Sequence, residues 1–98
     1  MKKLFISQPM NGKSDEQILK EREEAVREAK RVCGEEVELI DSFFKCAPAD
    51  ARPLWFLGKS LELLSTADVA YFAPGWKDAR GCKIEHLCAV EYGIDRIE

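Results

Sequence analysis

The sequence has no run of about 20 apolar residues, which is the length that a membrane-spanning helix needs. Its opening is basic, but only Leu4, Phe5 and Ile6 form an apolar run before polar Ser7. That run is far shorter than the apolar segment of a signal peptide. We therefore expect no membrane partner and a cytoplasmic location.

Histidine and paired cysteines are also scarce. There is one histidine, and the four cysteines, at positions 33, 46, 82 and 88, include no C-x-x-C pair. A closed zinc site needs four nitrogen or sulfur ligands at suitable spacing. The sequence therefore predicts no metal and no cofactor, and the cysteines are expected to be reduced and mostly buried.

A surplus of positive charge is missing as well. The chain has 15 Lys and Arg against 18 Asp and Glu, which gives a net charge of −3. Binding of duplex nucleic acid needs clustered positive side chains that neutralise phosphates, so this balance favours a small-molecule ligand. At 98 residues the chain is long enough for one hydrophobic core, and we predict a single domain over residues 1–98.

What is present is a set of helical patterns with clear ends. Ser14 and Gln17 form a capping box, Gly34 is a typical stop, and an apolar stripe between them predicts the first helix. Pro53 opens a second helix, and a third is predicted over residues 82–92 with Gly93 as its stop. The predicted inner faces are, in chain order, Ile18, Leu19, Ala25, Val26, Ala29, Val32 and Cys33; then Leu54, Leu57, Leu61 and Leu64; then Ile84, Leu87 and Cys88.

Short apolar runs between these helices predict strands. They lie at residues 3–7, 37–40 and 69–73, with a long loop over 42–52 and room for only a short fourth strand at 94–98. Alternating strands and helices predict an α/β fold, here a small Rossmann-like parallel sheet of three to four strands with flanking helices. The expected flavodoxin-like strand order is 2-1-3-4, and ligands bind beyond the strand ends where the order reverses. The loops 7–13 and 74–80 should therefore face each other across a crevice.

The first of these loops comes within one residue of a P-loop. Residues 7–14 read S-Q-P-M-N-G-K-S, with Ser7 where the motif has glycine. No apolar strand ends in an Asp that could bind magnesium, which argues against a nucleoside triphosphatase. Two interpretations stay open: Gly12, Lys13 and the helix amides hold an anionic group, or Gly12 allows the turn and Ser14 caps the helix.

Glu85 and the segment 75–81 are the other candidates for chemistry. Glu85 lies near the start of the third helix, where a negative charge is favoured, which suits a nucleophile but is also common in helices generally. The segment G-W-K-D-A-R-G can stack a nucleobase on Trp76 and bind its edge with Asp78 or Arg80, or Trp76 can fold onto the core. His86 lies about 100° from Glu85 around the helix and is not expected in the same site. Tyr71 and Phe72 are predicted to be core residues.

Three stretches together are specific: F-I-S-Q-P-M-N-G-K at 5–13, A-D-V-A-Y-F-A-P-G-W at 67–76 and A-R-G-C-K-I-E-H-L-C-A-V-E-Y-G at 79–93. Through them the chain resembles the nucleoside 2-deoxyribosyltransferase superfamily over nearly its whole length, and within it a bacterial and phage domain family. In the transferases a G-T-x-x-E pattern carries the nucleophile, and residues 81–85 keep that spacing. The resemblance therefore points to Glu85 as the nucleophile.

The resemblance implies a retaining mechanism on a nucleoside or nucleotide. Glu85 would attack the anomeric carbon, the nucleobase would leave, and the sugar would pass to another base or to water. Asp78 is the candidate for the acid that protonates the base or for a group that holds it. The implied substrate-binding residues are Ser7, Gln8, Pro9, Met10, Asn11, Gly12, Gly75, Trp76, Arg80 and Gly81, with Ser7, Gln8 and Asn11 on the sugar or phosphate side and Trp76 on the base.

Three positions depart from the transferase pattern. Cys82 replaces threonine, Leu87 replaces a glycine, and Asp78 alone remains of the acidic residues before the glycine turn. Two other functions therefore stay open: a nucleotide- or nucleoside-binding protein without chemistry, and a phage or accessory protein that binds a protein partner.

A homo-oligomer is expected as well. In the superfamily a neighbouring subunit often completes the site, and this chain carries several aromatic residues that could cover such an interface. They are Phe43, Phe44, Trp55 and Phe56.

Overall fold

A computed structural model describes residues 1–41 and 47–98. Part of the predicted long loop, with Phe43, Phe44 and Cys46, lies outside the described residues. The elements in chain order are β1 (Lys2–Ser7), α1 (Asp15–Cys33), β2 (Val37–Leu39), α2 (Pro53–Leu64), β3 (Val69–Phe72), a 3-10 helix (Trp76–Asp78), α3 (Arg80–Glu91) and β4 (Asp95–Ile97). The predicted α/β class is confirmed.

The four strands form one parallel sheet in the order β2-β1-β3-β4, as predicted. Ile6 pairs with Tyr71 and Ser7 pairs with Phe72. The carboxyl ends of β1 and β3 therefore lie side by side, at the place where the strand order reverses. In sheets of this kind, that edge is where ligands bind.

The sheet separates two hydrophobic cores because successive side chains of a strand point to opposite faces. Leu4 and Ile6 of β1 pack under α1, and we call this side the α1 face. Phe5 of β1 and Phe72 of β3 pack on the other side against residues of α2 and α3, and we call this side the α2–α3 face. The side of the sheet to which a side chain points therefore decides which helices it contacts. Because Ser7 and Gln8 are consecutive, their side chains point to opposite sides.

The ends of α1 are those that the sequence predicts. Ser14 Oγ accepts a hydrogen bond from the Gln17 amide at 3.2 Å, and Gln17 Oε1 accepts one from the Ser14 amide at 2.9 Å. Gly34 has φ +69°, and its amide donates to the Lys30 carbonyl. A left-handed residue that closes the last turn in this way is the usual reason for glycine after a helix.

The inner face of α1 differs from the prediction at two apolar positions. Leu19 and Val32 are 47% and 51% exposed, while Arg22 is buried. The buried residues Ile18, Arg22, Ala25 and Ala29 follow one line along the helix at spacings of four, three and four. The predicted stripe was too wide, since Leu19 and Val32 flank this line.

The predicted inner face of α3 was wrong at two of its three positions. Ile84 and Leu87 are 37% and 58% exposed, whereas Cys88 is half-buried and packs against the core of the α2–α3 face. The buried residues are Cys82, Glu85 and Ala89, which share one stripe at spacings of three and four. Assigning the apolar residues to the core failed here because the inner face of α3 contains a carboxylate.

Two further expectations are partly met. In α2, Leu64 is buried and Leu57 and Leu61 are half-buried, but Leu54 is 75% exposed. Of the described cysteines, which are all unpaired, Cys82 alone is buried, so the expectation of mostly buried thiols was too broad. No helix of the described residues is both long and apolar enough to span a bilayer.

Candidate functional site

The two loops that were expected to face each other do lie together. The Ala73 amide donates to the Ser7 carbonyl at 2.9 Å, which joins β1 and β3 where both strands end. Beyond this bond, Gly75 has φ +90°, and a Cβ atom at that position would lie 3.6 Å from Pro9 Cγ. The loops 7–13 and 74–80 therefore start from one edge and touch at Pro9 and Gly75.

A buried polar cluster lies at this edge on the α2–α3 face. Ser7 Oγ donates a hydrogen bond to Glu85 Oε1 at 2.7 Å, and the Ser60 side chain lies near enough to Glu85 to act on its pKa. Ser7, Cys82 and Glu85 are 1%, 5% and 7% exposed. We call Ser7, Ser60, Cys82 and Glu85 the buried carboxylate site.

Each member of this site is placed by a regular element. Ser7 is the last residue of β1 and faces α2 and α3 because it follows Phe5 by two positions. Cys82 and Glu85 lie one turn apart on the inner stripe of α3. Ser60 comes from α2, which packs against α3. Three elements, β1, α2 and α3, therefore already hold these four groups together.

The protonation of the site depends chiefly on its burial. Desolvation raises the pKa of Glu85 above its ordinary value of 4.5, and the hydrogen bonds from Ser7 and Ser60 oppose that change. Desolvation also raises the pKa of the Cys82 thiol, with the Ser7 hydrogen bond opposing it and the charge of Glu85 adding to it. Cys82 is therefore held as a thiol, which makes it a poor nucleophile.

Glu85 has no ion-pair partner within residues 1–41 and 47–98. The cation of the first loop, Lys13, binds both carboxylate oxygens of Glu21 at 3.0 and 2.9 Å. The Ser14 hydroxyl is used to cap α1, and Gly12 has φ +76° in the turn before it. Of the two interpretations of the near P-loop, these contacts match the turn and cap rather than an anion site.

The remaining residues of the first loop point elsewhere. Gln8 is 5% exposed, and its Nε2 donates to the Ile18 carbonyl of α1 at 3.3 Å. Its Oε1 is buried and accepts no hydrogen bond from any described residue. Pro9 is half-buried, while Met10 and Asn11 are exposed. Ser7 therefore joins Glu85, whereas Gln8 lies against α1.

Trp76 and Asp78 line a separate groove of about 580 Å³. Its floor includes Tyr71 and Ile97 on the α1 face, and its walls come from α1, the loop 74–78 and Glu98. Tyr71, which was expected in the core, is only half-buried and lines this groove. The carboxylates among the lining residues are those of Glu24, Glu28, Asp78 and Glu98, against the single cation of Lys77.

One face of Trp76 is occupied by the protein itself. The His86 ring stacks on it at 4.0 Å between centroids and 19° between planes, and Lys77 Nζ lies 5.7 Å from the Trp76 centroid. His86 Nε2 also lies 2.6 Å from Glu98 Oε2. His86 therefore contacts both Trp76 and Glu98. It lies on the side of α3 away from Glu85, as its position in the helix predicts.

The residues that the resemblance implies for one site therefore occupy two places. Ser7 and Glu85 meet in the buried carboxylate site, whereas Gly75, Trp76 and Asp78 line the groove, which does not include Glu85. Arg80 is exposed at the start of α3, and Gly81 is half-buried beside it.

Sequence reasoning missed Cys82 and Ser60 as members of the site. Cys82 could have been found, since it precedes Glu85 by three residues and shares its face of the helix. Ser60 had no such signal, because it belongs to a different helix and meets Glu85 only in the folded chain. Nothing in the described residues forms a group of three or more His, Cys, Asp or Glu side chains suited to a metal.

Comparison of the chain with protein-family models, with curated proteins and with solved structures found no significant match.

Proposed function

We propose that the protein cleaves or exchanges the N-glycosidic bond of a nucleoside or nucleotide, with Glu85 as the nucleophile. The observation that carries this proposal is the position and surroundings of Glu85. It is a carboxylate at the edge of the sheet where β1 and β3 end, 7% exposed, with a hydrogen bond from Ser7 Oγ and no cation paired to it among the described residues.

A buried carboxylate without a paired cation destabilises the fold, so a purely structural role explains it poorly. Burying an ionised carboxylate without an opposite charge costs several kcal/mol even after relaxation, on the order of the whole stability margin of a small domain. A glutamine could accept the same hydrogen bonds without that cost. A buried carboxylate whose pKa is raised, at the edge where β1 and β3 end, is therefore best explained by chemistry.

N-glycosidic cleavage needs a group of this kind. As the bond to the base breaks, positive charge develops at the anomeric carbon, and a nearby carboxylate can stabilise it and attack. No cation of the described residues pairs with Glu85, so its negative charge is left to stabilise the reacting sugar. In the first step a Glu85 oxygen bonds to the anomeric carbon as the bond from that carbon to the base breaks, and the base leaves with the bonding pair and takes a proton from Asp78 or from water.

The second step releases the enzyme. A nitrogen of an incoming base, or a water oxygen, attacks the anomeric carbon, the bond to Glu85 breaks, and the attacking group loses a proton. Two inversions at one carbon give net retention. The acceptor decides whether the protein is a transferase or a hydrolase.

Trp76, Tyr71 and Asp78 are our candidates for the base-holding part of the site. The first two offer aromatic surface in a groove large enough for a nucleobase, and Asp78 offers a hydrogen-bond acceptor or an acid beside them.

A binding protein without chemistry is the second candidate. One observation favours it: Glu85 is not among the residues that line the groove, so a ligand could occupy Trp76 and Tyr71 without reaching the carboxylate.

Base release separates these two functions. Deoxynucleosides and their 5′-monophosphates are incubated with the protein, with and without a second free base, and the products are resolved by liquid chromatography. We expect wild-type protein to release base and Glu85→Gln to lose at least about 1,000-fold of that rate, since removal of a catalytic nucleophile is rarely compensated.

Glu91→Gln is the matched control, because Glu91 is an exposed residue of the same helix. It should retain the wild-type rate. Dependence on the second base identifies a transferase. Absence of base release from folded wild-type protein, together with nucleoside binding that survives Glu85→Gln, would contradict the enzymatic proposal and support the binding function.

A further inference from the structure

Two hydroxyl groups face Glu85 from two different elements. Ser7 Oγ of β1 donates to Glu85 Oε1 at 2.7 Å, and Ser60 of α2 lies near the same side chain and acts to lower its pKa. Ser7 is the better fixed of the two, since it is 1% exposed at the end of the strand and Ser60 is half-buried. We infer that Ser7 is a positioning residue, which aims the Glu85 carboxylate and holds it in its ionised form.

The backbone of Ser7 is held on the β3 side. It pairs with Phe72, and its carbonyl accepts the Ala73 amide at 2.9 Å. Because the side chain is buried, its hydroxyl has no water to turn towards, and its one proton goes to Glu85. A donor fixed in this way costs no reorganisation when the carboxylate reacts.

Glu85 has no ion-pair partner among the described residues. The groups facing it are Ser7 from β1, Ser60 from α2 and Cys82 from α3 itself. Lys13, the cation on the loop after β1, is bonded to Glu21. Burial therefore raises the pKa of Glu85, and the neighbouring hydroxyls oppose that change.

The balance between burial and hydrogen bonding predicts how the pKa of Glu85 changes when a hydroxyl is removed. A hydrogen bond to the charged form lowers the pKa of a carboxyl group, so its removal leaves the desolvation unopposed. The catalytic consequence rests on the proposed function, in which the ionised form of Glu85 is the nucleophile. The effect on protonation does not depend on it.

The test is a titration of the Glu85 side-chain carboxyl carbon by NMR in wild type, Ser7→Ala and Ser7→Thr. We expect Ser7→Ala to move the midpoint to higher pH, and Ser7→Thr, which keeps a hydroxyl, to return it towards wild type. Ser60→Ala serves as the parallel variant on the other element and should move the midpoint in the same direction. Circular dichroism establishes that each variant is folded.

Kinetics supply a second readout. In Ser7→Ala the acid limb of the kcat profile should move to higher pH by the same amount as the midpoint, lowering kcat about tenfold on that limb, with KM little changed. At high pH, where Glu85 is ionised in both proteins, most of the loss should recover. A purely structural role of Ser7 would lower activity equally at every pH.

An unmoved midpoint in folded Ser7→Ala overturns the inference. If that variant does not fold, Ser7→Cys takes its place, since a thiol has similar size but is a weaker donor, and an unmoved midpoint there overturns the inference equally. A shifted midpoint without any base release contradicts the proposed function alone. Base release with an unmoved midpoint contradicts the role of Ser7 alone.

Discussion

At the scale of single residues, the burial of Glu85 makes the stability of the fold depend on pH. Its pKa is raised in the folded state, mainly by desolvation, above the ordinary value of 4.5 that it has when unfolded. The folded protein therefore binds the Glu85 proton more tightly than the unfolded chain does. The contribution of this group is fully present below the unfolded pKa and is lost as pH rises through the folded pKa.

Replacing Glu85 by glutamine should remove this dependence. Glu85→Gln cannot ionise, so we expect its free energy of unfolding to rise relative to wild type as pH increases from about 4 to 8. Each unit by which the folded pKa exceeds the unfolded one corresponds to ~1.4 kcal/mol of that change. Urea unfolding at a series of pH values measures it.

The exposed Glu91 again provides the control, because Glu91→Gln should follow the wild-type dependence on pH. If the difference between wild type and Glu85→Gln were constant over this range, or grew in favour of wild type at high pH, Glu85 would not be destabilised in its ionised form. The argument that its burial indicates function would then lose its basis.

At the scale of elements, α3 presents apolar residues to solvent and a carboxylate to the interior. Leu87 is 58% exposed, whereas Ala89, two residues further on, is fully buried in the core of the α2–α3 face. Chemical type alone would place the leucine inside. The stripe of Cys82, Glu85 and Ala89 faces the sheet instead, with Ala89 packed among Phe5, Ala70 and Phe72.

The same substitution at these two positions tests this orientation. Leu87→Gln should change the free energy of unfolding by less than about 0.5 kcal/mol, as exposed substitutions usually do. Ala89→Gln places a larger polar group in a packed core and should cost roughly 2 kcal/mol or more. Both are measured by urea unfolding. A larger cost at Leu87 than at Ala89 would contradict the orientation of α3.

The ends of the elements were more predictable than their faces. Ser14 and Gln17 cap α1 through bonds between residues three apart, and Gly34 ends it through its own left-handed backbone. These are local effects that the neighbouring residues fix. The buried side of a helix depends on the elements against which the helix packs. The identity of Leu19 or Leu87 alone does not show whether that residue is on the buried side.

At the scale of the whole molecule, the two faces of the sheet are covered unequally. α2 and α3 pack on one face of the sheet. Within the described residues, α1 is the only α-helix on the other face, and β3 and β4 lie at one edge of the sheet. Tyr71 and Ile97 therefore stay partly open as the floor of the groove. On the opposite side, large apolar side chains such as Leu54 and Leu87 also remain exposed.

This exposed apolar surface leads to a prediction about assembly. Several large apolar side chains are exposed, and such side chains are common at interfaces, so we expect the chain to sediment as a homo-oligomer rather than at its monomer mass of 11.1 kDa. Sedimentation velocity at micromolar concentration measures this. Leu54→Glu should weaken the assembly, while Lys59→Glu on the polar side of the same helix serves as its control. Wild-type protein that sediments at 11.1 kDa at all concentrations would contradict the expectation.

The sequence by itself determined the fold class, the strand order, the caps of α1 and the sheet edge at which the loops 7–13 and 74–80 meet. These follow from local hydrogen bonds, from the alternation of strands and helices and from the handedness of their connections, all of which act along the chain. Only the tertiary structure decided that Glu85 is buried under Ser7 and Ser60 and that Trp76 and Asp78 line a different groove. Those facts depend on how α2, α3 and the loop after β3 pack in space, and the contacts that fix this packing join residues far apart in sequence.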